Sequence, residues 1–231
     1  LKSGWPWNGH VEFKNVTMRY TPFSQPVLQE VSVDIPAGTT VGIVGRTGSG
    51  KSSLLLTLFR LVEIEGAGSI TIDGVDIRSL SPHGLRESLS IIPQTPTLFS
   101  GTLMYNLDAS GRASTDEAWS ALEAASTELS RQFRESGTGL DTMISEGGEN
   151  LSLGQRQLIC LARALLKRSK ILVLDEATSS VDTKTDGQVQ ETIRREFVQK
   201  GVTVITVAHR LDTVLGYDNI IVLDAGKIVE M

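Results

Sequence analysis

Residues 11–20, VEFKNVTMRY, alternate between apolar and polar positions, with Val11 and Phe13 in one phase and Val16, Met18 and Tyr20 in the next. Period-two alternation predicts a half-buried strand, and the slip near Asn15 predicts a bulge or a bend. Val31, Val33 and Ile35 alternate again ahead of the turn Pro36-Ala37-Gly38. Further on, Asp73-Gly74 separates two short apolar runs in SITIDGVDI, which predicts a hairpin. Together these segments predict an antiparallel sheet with one solvated face.

A second pattern follows. TTVGIVG (39–45), KILVLD (170–175) and VTVITVA (202–208) are apolar enough to be buried on both faces, as strands of a parallel sheet are. The first runs through a glycine-rich loop into SSLLLTLFRLV, where Leu54, Leu55, Leu58, Leu61 and Val62 recur at helical spacing. NIIVLD and GKIVE form a final strand pair around Ala225-Gly226. Strands alternating with helices predict a parallel α/β core with right-handed crossovers.

Between about residues 82 and 168 the strand signal fades. Pro93 and Pro96 bracket a loop. DEAWSALEAAS then reads as a helix with Thr115 as its N-cap and Ala118, Leu122 and Ala125 on one face. Later, Ser152 and Gln155 form an S-x-x-Q capping box ahead of a stripe of Leu158, Leu161, Ala162, Leu165 and Leu166. Lys167 and Arg168 end that helix, where cations suit its dipole. The whole stretch reads as a helical lobe inserted into the α/β core.

Composition narrows the setting. The chain has 231 residues, 40% apolar and 21% charged, as in a soluble globular protein. Its apolar runs fall well short of the roughly 18 residues that a membrane helix needs. No basic-then-apolar leader opens it, and the start at Leu1 reads as that of a domain cut from a longer protein. The net charge of −5 lacks the positive field of a dedicated nucleic-acid binder. The single cysteine, Cys160, cannot form an internal disulfide or a cysteine-based metal site, which suits a reducing cytosolic face.

The chemistry concentrates in three places. Gly45, Arg46, Thr47, Gly48, Ser49, Gly50, Lys51 and Ser52 fit G-x-x-x-x-G-K-[ST], the P-loop, between a buried strand and a helix. Glycines let successive amides turn into one concave nest, and the helix that follows adds its positive end. Lys51 can then reach the β- and γ-phosphates of a nucleotide, and the Ser52 hydroxyl can ligate Mg²⁺. Second, KILVLDEA ends with Asp175 and Glu176 at the edge of a buried strand, where ligands of open α/β sheets bind. Asp175 is placed to hold Mg²⁺ through water and Glu176 to activate an attacking water, although the pair could equally cap the next helix. Third, Gly154 sits in the first turn of the capped helix, where glycine is unfavourable. That predicts a close approach to the backbone, and a phosphate would suit a helix N-terminus of this kind.

The motif set, in order, resembles the nucleotide-binding domain of an ATP-binding cassette transporter, from Val11 to Glu230. Tyr20 is placed like the aromatic that stacks on adenine, and GRTGSGKS, with Ser53 after it, resembles Walker A. Gln94 resembles the Q-loop glutamine and LVLDE the Walker B segment. Leu151-Ser152-Leu153-Gly154-Gln155 resembles the family signature, with Leu153 where the usual LSGGQ pattern has glycine. Ser179-Ser180-Val181-Asp182 resembles the D-loop, and His209 the switch histidine. The runs IIPQTPTLFSGTL, LSLGQRQL and ATSSVDTKTD are similar to the multidrug-resistance-associated, or C, subfamily, most of all to its second nucleotide-binding domain.

The resemblance implies an α/β P-loop NTPase core, mostly parallel, with an antiparallel β subdomain and an inserted α-helical subdomain. Residues 8–93 and 169–231 would form the ATPase core and 94–168 the helical signature subdomain. It implies MgATP hydrolysis at a head-to-tail interface with a second nucleotide-binding domain, driving export by attached transmembrane domains at the cytoplasmic face of a membrane. Lys51, Ser52, Asp175, Gln94, Glu176 and His209 would form one side of a site, while Ser152, Leu153, Gly154 and Gln155 would serve the partner's nucleotide. Two other readings stand beside it. One is a regulatory module whose ATP binding gates a channel. The other is a non-transport cassette ATPase acting on DNA or ribosomes, for whose coiled coil the interval from Gln94 to Leu151 leaves no room.

Overall fold

The computed structural model describes residues 4–175, 183–208 and 211–231. In chain order the elements are β1 (Val11–Met18), β2 (Leu28–Ile35), β3 (Thr40–Val44), α1 (Lys51–Leu58), β4 (Ser69–Ile72), β5 (Val75–Asp76), α2 (Pro82–Ser88) and β6 (Ser90–Ile92). There follow β7 (Gly101–Thr102), α3 (Leu103–Leu107), α4 (Thr115–Ala125), α5 (Thr127–Glu135), β8 (Met143–Ile144) and α6 (Leu153–Lys167). The last are β9 (Ile171–Asp175), α7 (Thr183–Glu196), β10 (Thr203–Val207), β11 (Asn219–Asp224) and β12 (Lys227–Glu230). They fall into two units: Leu1–Ser90, Ser169–Glu176 and Lys200–Met231 form one, and Ile91–Arg168 with Ala177–Gln199 the other.

The first unit holds an antiparallel sheet in the order β2-β1-β4-β5. In β1, Phe13 pairs with Val33 and Val16 with Val31, so the register shifts between them, and Asn15 takes a left-handed φ of 46°. The extra residue returns Val16 and Met18 to the buried face, which explains the slip of phase. Asp73 and Gly74, with φ of 50° and 76°, make the predicted turn between β4 and β5.

A six-stranded sheet runs in the order β12-β11-β3-β10-β9-β6. β11, β3, β10 and β9 are parallel neighbours, and β12 returns antiparallel on β11. All five residues of β3 and of β10 are buried, as the apolar runs predict. Side chains of both sheets share one core, from Phe13 and Ile35 to Ile43, Val173 and Ile205, and Leu54, Leu55 and Leu58 of α1 fill it.

α1 is shorter than its leucine spacing predicts. It stops at Leu58, and Leu61 is exposed. Arg60 turns left-handed (φ 47°), its amide donates to Thr57 O, and the Leu61 amide donates to Leu56 O. That pair of bonds is the Schellman closure, with arginine in the position glycine usually takes. The Arg60 guanidinium donates to Ile77 O and Leu80 O (3.2 and 2.8 Å), and Arg86 of α2 donates to Phe59 O and Arg60 O (2.9 and 2.6 Å). The carbonyls at the end of the helix are thereby satisfied.

The chain ahead of β1 is fastened to this unit. The Asp73 carboxylate accepts backbone amides from Trp7 (2.6 Å), Asn8 (2.9 Å), Gly9 (3.0 Å) and His10 (2.9 Å). Thr203 Oγ1 of β10 donates to Gly9 O at 2.7 Å.

In the second unit, α4 starts one residue earlier than its sequence suggests: Ser114, not Thr115, is the N-cap, in a reciprocal capping box with Glu117. Ala118, Leu122 and Ala125 are buried as expected. In α6, Leu158, Leu161 and Ala162 are buried but Leu165 and Leu166 only partly so. Ile159, Cys160 and Ala164 are buried as well, so the helix is covered over more than one stripe. α7, which the sequence reading puts with the core, groups with these helices: Gln188 and Arg195 donate to Ala125 O and Ala124 O of α4 (3.4 and 3.0 Å). Buried Asn106 braces the segment before α3 by bonding both the amide and the carbonyl of Phe99. No helix among the described residues is long and apolar enough to cross a membrane.

Candidate functional site

β3 ends at Val44, and the P-loop crosses from it to α1. Two glycines there are required by geometry. A Cβ on Gly45 would lie 2.2 Å from Leu223 O, and Gly50, the N-cap of α1, has φ 106° with Val27 O and Leu28 Cδ2 about 3 Å from where its Cβ would stand. No side chain caps α1, so its N-terminus is left to backbone and ligand.

Lys51 is only 5% exposed, and its Nζ donates to Gly45 O (2.8 Å) and Arg46 O (3.1 Å). Its ammonium is thus folded back along the loop. Burial pushes the Lys51 pKa down, and the Asp175 carboxylate partly opposes this. The sheet register explains why these two meet: Val207 of β10 pairs with Ile43 of β3 on one side and with Asp175 of β9 on the other. The acid and the loop therefore emerge at the same level of one sheet edge.

Around them, Arg46, Thr47, Gly48 and Ser52 are exposed, whereas Ser49, Gly50 and Ser53 are buried. Ser49 Oγ has no hydrogen-bond partner, which is costly for a buried hydroxyl and marks a place where a bound group could supply one. Tyr20, just past β1, is 55% exposed, and its hydroxyl lies 2.9 Å from Ser53 Oγ. An aromatic face is thereby tethered beside α1, open for stacking. Loop amides, a buried ammonium, an exposed hydroxyl and a carboxylate can together hold a polyphosphate with its cation.

The remaining residues lie in the second unit or outside the description. Gln94 is exposed in a bend just after β6. Glu176, Ser180, Asp182 and His209 lie outside the described residues. Ser152 caps α6: its Oγ accepts the Gln155 amide (3.1 Å), and Gln155 Oε1 accepts the Ser152 amide (2.9 Å), the predicted box. Ser152 is exposed, and Leu153, Gly154 and Gln155 are half-buried. The close approach expected at Gly154 comes from a side chain of α7: a Cβ there would lie 3.1 Å from Thr185 Oγ1. Sequence reasoning missed this contact, the orphaned Ser49 and the bond from Gln155 Nε2 to Gln132 Oε1 (3.2 Å). Beside these residues lies a cavity of about 300 Å³, whose walls include Ser126, Gln132, Gly154, Gln155 and Gln188. Among the described residues no group of His, Cys, Asp and Glu could hold a metal by itself.

A family model described as "ABC transporter" matches residues 28–179. ATP-binding cassette sub-family C member 2 of Rattus norvegicus is 54% identical over 228 residues, 98% of this chain and 14% of that protein. Sub-family C member 3 of Mus musculus is 51% identical over 227 residues, again 98% of this chain and 15% of the relative. Multidrug resistance protein mrp-7 of Caenorhabditis elegans is 52% identical over 227 residues, 98% of this chain and 15% of its own length. The chain thus spans about 15% of the length of the curated relatives it matches. Among solved structures, a bacterial Atm1-family ABC exporter with ATP bound superposes with a TM-score of 0.87 at 37% identity, covering 96% of this chain and 38% of that one.

Proposed function

Because the chain belongs to the ABC transporter family, as an ATP-binding domain of its C subfamily, we propose that it binds and hydrolyses MgATP to power export by attached membrane domains. The observation that carries this reading is Lys51: a buried ammonium seated on Gly45 O and Arg46 O, at the sheet edge where Asp175 also ends.

In this reading Tyr20 stacks on adenine. Amides from Gly45 to Ser53 surround the phosphates, and Lys51 turns from the loop carbonyls to the β- and γ-oxygens. Ser52, Asp175 and Gln94 would hold Mg²⁺, which when bound neutralises phosphate charge. Glu176 takes a proton from water as the water oxygen bonds to the γ-phosphorus. The bond to the β–γ bridging oxygen breaks, and ADP and phosphate form. His209 donates a hydrogen bond to the γ-phosphate.

The reading extends to a second nucleotide-binding domain opposed head-to-tail. Ser152, Leu153, Gly154 and Gln155 face the partner's nucleotide, with Ser180 and Asp182 at the junction. ATP would hold the two surfaces together, and loss of the γ-phosphate would release them, biasing the membrane domains between two states. In this reading the chain works on the cytoplasmic side of its membrane.

Glu176→Gln tests the reading in the full-length transporter. Turnover should fall to background while MgATP affinity stays near wild type. Wild-type turnover in that variant would remove Glu176 from the mechanism, and no retention of labelled MgATP by the unaltered protein would remove the whole reading.

A further inference from the structure

We propose that Gln132 of α5 is a positioning residue for Ser152: it tethers the Gln155 side chain and so keeps closed the capping box that fixes the Ser152 hydroxyl. The inference rests on the reading that Ser152 faces a partner's nucleotide.

The chain of contacts is short. Ser152 Oγ accepts the Gln155 backbone amide at 3.1 Å and donates to nothing among the described residues. The side chain of Gln155 spans two neighbours, with Oε1 on the Ser152 amide (2.9 Å) and Nε2 on Gln132 Oε1 (3.2 Å). A side-chain amide can turn over by 180° with little change of shape. Turned over, Gln155 would set its NH₂ against the Ser152 N–H, donor against donor, and its oxygen against Gln132. The Ser152 amide would lose its acceptor and the box would open on that side. The Ser152 N–H already selects against that alternative, and Gln132, with its oxygen on Gln155 Nε2, ties the selected side chain to α5.

What Gln132 supplies to Gln155 is a hydrogen-bond acceptor. It is exposed, at the margin of the buried face of α5 that carries Leu129 and Phe133, and it borders a cavity. Its replacement leaves the packing of the unit intact. A donor at this position would favour the wrong orientation, whereas a carboxylate keeps the acceptor.

Gln132→Leu and Gln132→Glu in the full-length protein test the proposal, with two readouts. Hydrogen exchange of the peptide covering residues 152–155, measured without nucleotide, should speed up in Gln132→Leu and return to wild type in Gln132→Glu. MgATP turnover should fall in kcat by about three- to tenfold in Gln132→Leu, the scale of one hydrogen bond, with KM unchanged and with recovery in Gln132→Glu. Unchanged exchange in Gln132→Leu, or equal loss in both variants, overturns the anchoring. Altered exchange with unaltered kcat overturns the link to the nucleotide. A wild-type protein without turnover overturns the functional reading and the role given to the hydroxyl.

Discussion

Gly154 stands against Thr185: a Cβ added to the glycine would meet Thr185 Oγ1 at 3.1 Å and Cγ2 at 3.2 Å. Both belong to the helical unit, one in the first turn of α6 and the other in α7. Alanine is preferred to glycine within a helix by about 1 kcal/mol. Crowding of this degree costs a similar amount. Gly154→Ala should therefore leave stability nearly unchanged. In a cycle with Thr185→Ala, thermal unfolding should give a coupling of about 1 kcal/mol. Strict additivity would show that the contact does not govern the site.

Gly42 is a sharper case. It lies in the middle of β3, and a Cβ there would stand 2.7 Å from the Cβ of fully buried Val214. Gly42→Ala should lower stability by about 1–3 kcal/mol, the cost of overpacking. Adding Val214→Ala should restore part of the loss, and chemical denaturation of the three variants checks both statements. A wild-type midpoint for Gly42→Ala would contradict the packing described.

Lys51 makes charge-assisted bonds within the loop, and its ammonium cannot be replaced by a planar fork in so confined a place. Lys51→Ala should weaken MgATP binding roughly 10- to 100-fold, the scale of hydrogen bonds to a charged group. Lys51→Arg should not rescue it. Titration with a fluorescent ATP analogue measures both, and wild-type affinity in either variant would count against the cradle.

Asp73 makes stability depend on acid. Burial alone would push its pKa up, but four backbone amides outweigh this and hold the carboxyl below its ordinary value of 3.8. A carboxyl depressed in the folded state stabilises fully above its unfolded pKa, and that contribution disappears as pH falls through the folded pKa. Asp73→Asn tolerates the left-handed backbone and keeps one acceptor, so it isolates the charge. The variant should be less stable at pH 7 by about 1–2 kcal/mol. The gap should close below pH 4, as melting at stepped pH would record. A gap of constant size would mean that the charge plays no part.

Elements whose cause is local were legible in the sequence. The slip at Asn15, the Asp73-Gly74 turn and the Ser152–Gln155 box each follow from residues within a few positions of one another. The parallel character of the core followed from runs buried on both faces, but not the order of its strands, and the P-loop followed from its spacing. Where competing local signals were close, the reading moved by a residue: Ser114 and Thr115 can both cap, and only Ser114 stands three before Glu117. The length of α1 was misread because leucines continue past Leu58, while what ends the helix is Arg60, held by carbonyls near residue 80. The Asp73 clasp and the Gln132–Gln155 bond join residues more than twenty apart, and nothing in their types announces the pairing. Gly154 was noticed for the right reason, helix strain, but the neighbour that crowds it comes from α7.

The double arginine closure of α1 gives this short helix a mechanical property. Ordinary helices fray at their last turn and absorb small displacements there. With Phe59, Arg60, Ile77 and Leu80 laced together, α1 has no slack at that end. The helix that carries Lys51 at one tip is thereby anchored at the other to the carbonyls of Ile77 and Leu80.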